Sequence, residues 1–376
     1  MITQAAILTK MGATCPYETS RPLAIHEVEL DPPQEGEVLV RIGAAGLCHS
    51  DLSVINGDRP RPTPMALGHE AAGTVEKLGP GVTTLVPGDH VVMTFMPSCG
   101  HCLPCAEGRP ALCEPGAAAN TAGTLLGGGI RLHGPQGDLY HHLGCSAFAR
   151  HAVVSCRSLV KVDPALPLEQ AALFGCAVLT GVGAVINTAQ IRAGQSAVVI
   201  GLGGVGLAAL IGCVGTGVNP VVAVDLSDDK LDLARSLGAT HTVNGADPDA
   251  VDQVRAATGG GAHVAFEMAG SIKALENAMA MTRRGGMTVT AGLPPPDARL
   301  PVNVVALVGE ERTLKGSYIG SCVPLRDIPR YIALYRAGRL PVDRLLSGTL
   351  QLEEINTGFD RLHRGEAVRQ VILFEP

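Results

Sequence analysis

The chain has 376 residues, 46% hydrophobic and 17% charged, which is long enough for about two globular domains and too apolar for a disordered chain. Its net charge of −6, from 29 basic and 35 acidic residues, leaves no basic surplus for a phosphate backbone. With 3% aromatics and no Trp, a base-stacking platform and a membrane aromatic belt are also set aside, so neither nucleic acid nor membrane is expected as a partner.

Residues 1–178 read as short strands between many turns, for example 37–42 and 88–93, an all-β pattern. Residues 179–320 instead alternate apolar strands with helical periods. Strands are expected at 197–200 and 221–225, with helices from about Val205 and over 228–237. Further strands at 263–267 and 287–291, each after a helical stretch, imply a parallel, doubly wound sheet. The stretch from Ala193 to Val224 has no charge and exceeds the ~20 residues of a membrane span. Its glycines and Asn219-Pro220 break it into strand, turn, helix and strand, which marks a buried soluble unit. Residues 321–376 return to mixed helix and strand, ending in a strand at 370–374 that is expected to dock on the first domain.

The 11 cysteines are an odd number at uneven spacings, and the N-terminal MITQAAILTK lacks the basic and apolar regions of a secretory leader. A reducing cytoplasm is therefore expected, where clustered Cys serve as metal ligands or catalytic groups more often than as disulfides. Cys99, Cys102, Cys105 and Cys113 lie in a Gly/Pro-rich lobe at about 97–115. Four thiolates so close can complete a tetrahedral Zn2+ shell with no open position, a structural site. Two disulfides or an iron–sulfur cluster are the alternatives.

Gly201-Leu-Gly-Gly-Val-Gly206 fits G-x-G-x-x-G, follows an apolar strand and opens a helix. In that context Gly201 permits the tight turn, Gly203 lets a pyrophosphate approach, and Gly206 lets helix and strand pack closely, with Gly204 and Val205 opening the helix toward the anion. Asp225 ends the next strand, placed to accept hydrogen bonds from ribose hydroxyls. With Leu226, Ser227 and Asp228 following, no positive group is available for a 2′-phosphate, which favours NAD. Three further fragments, Cys48-His49-Ser50-Asp51, Gly68-His69-Glu70 and Gly175-Cys176, are each weak alone, because a lone buried Cys or His is usually packing.

Taken together, GLCHSD, GHEAAGTVEKLGPGV, PGDHVV, CGHCLPCAEGRPALC, GC, GLGGVG and VDLSDDKLDLARSLGA resemble, in order and over nearly the whole chain, the zinc-dependent medium-chain alcohol dehydrogenases. The resemblance implies an α/β protein with a GroES-like, partly open β-barrel catalytic domain at 1–178, a Rossmann cofactor domain at 179–320, and a C-terminal segment, 321–376, returning to the catalytic domain. It assigns Cys48, His69 and Cys176 to a catalytic zinc with one open position, and the four-Cys lobe to a second, structural zinc. Asp51 is then the carboxylate behind His69, Glu70 a carboxylate behind the metal, and Ser50 the proton-relay hydroxyl. Ser53 stands where many members carry a further relay histidine. His49 and Arg369 are implied pyrophosphate contacts, with His49 also able to share the relay, and Lys230 is an implied ribose contact. The implied substrate pocket comprises Ser50, Arg59, Phe95, His142 and Leu293, closed by Tyr318 or Ile319. Arg59 and His142 replace commonly apolar residues, so either the pocket takes a polar or anionic group or Arg59 points to solvent. The implied reaction is reversible NAD-linked oxidation of a primary or secondary alcohol by hydride transfer, in a homodimer. The alternatives are a glutathione- or mycothiol-dependent formaldehyde dehydrogenase and a zinc-free reductase relative.

Overall fold

The computed structural model describes residues 1–375. The chain forms two units, one comprising Met1–Cys176, Val323–Pro329 and the tail from Leu346, the other Ala177–Cys322 and Arg330–Leu345.

The first unit holds a barrel and a second sheet. In the barrel, Ile2–Leu8 pairs antiparallel with Leu23–Leu30, which continues through Leu132–Gly134 to Gly137–His141. The two-residue strand Met65–Ala66 closes the barrel by bridging Gly137–His141 back to Ile2–Leu8. In the second sheet, Glu37–Gly46 is central, paired with Glu70–Leu78 on one side and Gln370–Leu373 on the other. Gln370–Leu373 in turn pairs with Gly348–Leu350 at the edge of this sheet. A core of Leu47, Ile55, Val91, Phe148 and Phe359 fills the unit, each such side chain contributing about 1.5–3 kcal/mol by leaving water.

This unit is not all-β. A helix at His49–Ile55 follows Cys48 and buries Asp51, Leu52, Val54 and Ile55, while Glu114–Ala122 and Ile355–His363 are also helical. The first helix has only seven residues, too few for a 3.6-residue period to stand out from the strands around it.

The second unit is a six-stranded parallel sheet ordered His241–Asn244, Val221–Asp225, Ala197–Ile200, Ala262–Glu267, Thr282–Thr290, Thr313–Gly316. Counted along the chain this is the order 3-2-1-4-5-6, whose switch point between the first and fourth strands opens at their carboxyl ends. The uncharged stretch resolves into two of these strands and the buried helix Gly204–Gly215 between them. No single helix among the described residues is long and apolar enough to cross a membrane. The tail divides differently from its expected whole return to the first unit. Residues 330–345 belong to the second, anchored by buried Tyr331 and Ile332 and by Arg339 Nη2, which donates to the Gly215 carbonyl at 2.6 Å.

Candidate metal and cofactor sites

In the lobe, the sulfurs of Cys99, Cys102, Cys105 and Cys113 all lie within 4.8 Å of one another. Cys102 and Cys113 Sγ are 3.9 Å apart, close to the ~3.8 Å edge of a tetrahedron with ~2.3 Å Zn–S bonds and far beyond an S–S bond. All eleven cysteines are free thiols. Backbone N–H groups point at the sulfurs: Cys99 and Gly116 donate to Cys113 at 3.2 and 3.4 Å, and Cys102 donates to Cys99 at 3.3 Å. Burial opposes ionisation of Cys99, but the N–H groups of His101 and Cys102 outweigh it and bring its pKa to about 6. Such donors stabilise thiolate charge, and a mononuclear four-thiolate zinc fits this spacing better than disulfides or a larger cluster.

The second cluster draws on three separate segments. Cys48 precedes the helix His49–Ile55, His69 sits between the strands Met65–Ala66 and Glu70–Leu78, and Cys176 follows the turn Leu173–Gly175. Gly68 makes the approach of His69 possible: its φ is +96°, and a Cβ there would lie 2.4 Å from the Phe148 nitrogen. One ligand atom from each of Cys48, His69 and Cys176 falls within 4.8 Å of the others, and all three residues are buried. His69 Nδ1 lies 3.1 Å from Asp51 Oδ1, while its Nε2 is buried with no hydrogen-bond partner. That orphan lone pair beside two sulfurs is what a tetrahedral cation would take.

The charges agree with this fit. A hydrogen bond from Cys176 holds the Cys48 thiol well below the usual range against the cost of burial, with Arg369 and His69 helping, and the shared proton leaves Cys176 raised. Burial disfavours a protonated His69, but Asp51 and Cys48 outweigh it. Negative charge from Asp51 and Cys48 around this ring is what a divalent cation bound at Nε2 and the sulfurs would balance. Burial pushes Glu70 up to about 7, with Arg369 pulling the other way.

The remaining site residues of this unit are distributed as follows. Ser50 is half-buried and His49 exposed on the same short helix. The Ser53 hydroxyl donates to the His49 carbonyl at 2.8 Å, so it serves the helix itself. The Phe95 ring stands edge-on to His69 at 5.2 Å. Arg59 is half-buried in the loop beyond the helix, where its N–H donates to the Ser53 carbonyl at 2.8 Å. Two further residues are buried. Arg369 is 3% exposed, with Nη1 donating to the Leu47 carbonyl at 2.9 Å and Nη2 3.2 Å from Glu70 Oε2. His142, expected in the substrate pocket, is buried with Nδ1 3.1 Å from Asp51 Oδ1.

In the second unit, the strand Ala197–Ile200 runs into the helix Gly204–Gly215 through the glycine turn. A Cβ on Gly206 would lie 1.7 Å from the Gly201 carbonyl oxygen, whereas one on Gly203 would meet nothing within 4 Å. The first position is needed for packing, and the second leaves room for a ligand to approach the backbone. Asp225 accepts from the Leu202 N–H at 2.6 Å and the Ser227 N–H at 3.0 Å, which orients its carboxylate at the strand end. Lys230 is half-buried in the first turn of the helix Asp228–Ser236. Leu293, Tyr318 and Ile319 also belong to this unit, the first two exposed and the third buried.

Comparison with known proteins finds relatives over nearly the whole chain. An alcohol dehydrogenase GroES-like domain matches residues 34–164, and a zinc-binding dehydrogenase domain matches residues 204–337. S-(hydroxymethyl)glutathione dehydrogenase of Paracoccus denitrificans is 36% identical over 377 residues, covering 96% of this chain and 99% of that protein. Benzyl alcohol dehydrogenase of Acinetobacter calcoaceticus matches in structure with a TM-score of 0.93 and 32% identity over 100% of both chains. An alcohol dehydrogenase zinc-binding domain protein from Burkholderia ambifaria gives 0.94 and 35%, again over 100% of both. These relatives support an oxidoreductase of small molecules. The chain belongs to the zinc-dependent medium-chain alcohol dehydrogenase family.

Proposed function

We propose that this protein is an NAD-dependent dehydrogenase that reversibly oxidises a primary or secondary alcohol to an aldehyde or ketone, using one catalytic and one structural zinc. The observation that carries the reading is the buried, unpartnered His69 Nε2 beside Cys48 and Cys176. Zinc would supply a Lewis acid there, and NAD a hydride acceptor. Asp51 keeps the proton on His69 Nδ1, so the Nε2 lone pair stays available to metal. Two thiolates and a neutral imidazole neutralise a divalent ion, while Arg369 offsets the charge of Glu70 behind them. Ser50 is the hydroxyl that takes the alcohol proton outward; with Ser53 bound to its own helix, exposed His49 is the next group able to accept it. The Gly201–Gly206 turn and the helix behind it hold the pyrophosphate, and Asp225 the ribose, with Lys230 beside it.

A homodimer is supported by the second unit's edge strand Thr313–Gly316, exposed along its length, and by exposed Val304, Val305 and Val308 on the adjoining segment. Eleven free thiols support a reducing, cytoplasmic setting. A second reading, oxidation of a thiol adduct of formaldehyde, is favoured by the Paracoccus relative. NADH absorbance over a panel of alcohols, including benzyl alcohol, and over formaldehyde with glutathione or mycothiol separates the two. Turnover of simple alcohols without thiol is expected. Strict dependence on formaldehyde plus thiol would replace the first reading with the second, and no NADH from any mixture would refute both.

A further inference from the structure

Asp51 is fully buried; His69 Nδ1 at 3.1 Å and the Gly68 N–H at 3.2 Å hydrogen-bond its Oδ1, and His142 Nδ1 lies 3.1 Å from the same oxygen. We propose that His142 is a positioning residue for the catalytic metal, a second imidazole clamp on Asp51 that keeps His69 Nε2 turned toward Cys48 and Cys176. The inference rests on the reading of Cys48, His69 and Cys176 as metal ligands.

The backbone presets the clamp. His142 follows the strand Gly137–His141 at a tight turn, where its N–H donates to Ser146 Oγ at 3.0 Å and its carbonyl accepts from the N–H groups of Cys145 and Ser146 at 3.0 and 3.2 Å. Its ring meets His69 edge-on, with centroids 5.5 Å apart and planes at 86°. Phe95 meets His69 in the same way, at 5.2 Å and 88°. His69 is thus held by two rings and a carboxylate, and one of those rings also lies against the carboxylate. The contact from His142 Nδ1 is off the line of a straight hydrogen bond, and Asp51 Oδ2 also lacks a partner. A small rotation of the carboxylate would satisfy both.

A carboxylate held by one ring can turn and carry its histidine with it. Held by two, it fixes the ligand's tautomer and direction, and groups behind a metal ligand typically change metal affinity about 10–100-fold. The test is zinc release from the intact holoenzyme to a chromogenic chelator, with the four-Cys zinc as the internal reference. In His142→Phe one of the two zincs should leave about 10–100-fold faster while the other keeps its rate. In His142→Asn, whose amide nitrogen can stand near the Nδ1 position, most of the retention should return. An unchanged release rate in His142→Phe would overturn the proposal, as would equal acceleration of both zincs. A wild-type protein releasing only one zinc would instead remove the metal reading beneath it.

Discussion

His69→Ala should lower kcat/KM for alcohol oxidation by about 10³-fold or more, because a Lewis acid supplies several kcal/mol at about 1.4 kcal/mol per tenfold in rate. The barrel should survive. His69 lies in the segment joining two strands, and its removal takes one hydrogen-bond partner from buried Asp51 without touching the core around Phe148 and Phe359. Circular dichroism should therefore remain near wild type, with stability lower by about 1–3 kcal/mol for the lost partner, while NADH production falls. Comparable activity in the two proteins would show that the three ligands do not form the reacting centre. A protein that no longer folds would point instead to a structural role for this histidine.

Gly206→Ala should weaken the other half of the reaction. The added methyl meets the Gly201 carbonyl oxygen, a backbone atom with no flexible end to move aside. Helix and strand must separate, at a cost of about 1–3 kcal/mol typical of overpacking. The displaced turn should raise the Kd for NADH about tenfold or more, at about 1.4 kcal/mol per tenfold. Fluorescence titration with NADH reads this directly, and zinc content should not change. Unaltered NADH affinity would place the dinucleotide elsewhere.

The three sites were legible in the sequence for different reasons. The four-Cys lobe and the glycine turn are local, so spacing alone carries their geometry. Cys48, His69 and Cys176 are far apart in the chain, and only the family pattern joined them before the fold did. Other features depend on tertiary context that no spacing encodes. The helix His49–Ile55 is too short to show a period, yet it determines that Asp51 points inward and that the Ser53 hydroxyl is used by its own backbone. Arg369 carries a charge that suggests surface exposure, but the strand Gln370–Leu373 brings it beside Glu70. The tail's division rests on Arg339 and Tyr331, whose partners are unrecognisable from sequence.

His142 is the most instructive case. Two adjacent histidines at a strand end project to opposite faces. His141 Nε2 accepts from the Arg131 N–H at 3.0 Å, whereas His142 reaches Asp51. The alternation was available in the sequence; the carboxylate waiting on one face was not.

The central claim is that this chain builds two metal centres of different kinds, one closed by four cysteines and one left open by two cysteines and a histidine. Native mass spectrometry of the purified protein counts them directly. Two zinc ions per chain are expected, falling to one in His69→Ala. A wild-type chain holding a single zinc, unchanged by that substitution, would contradict the account.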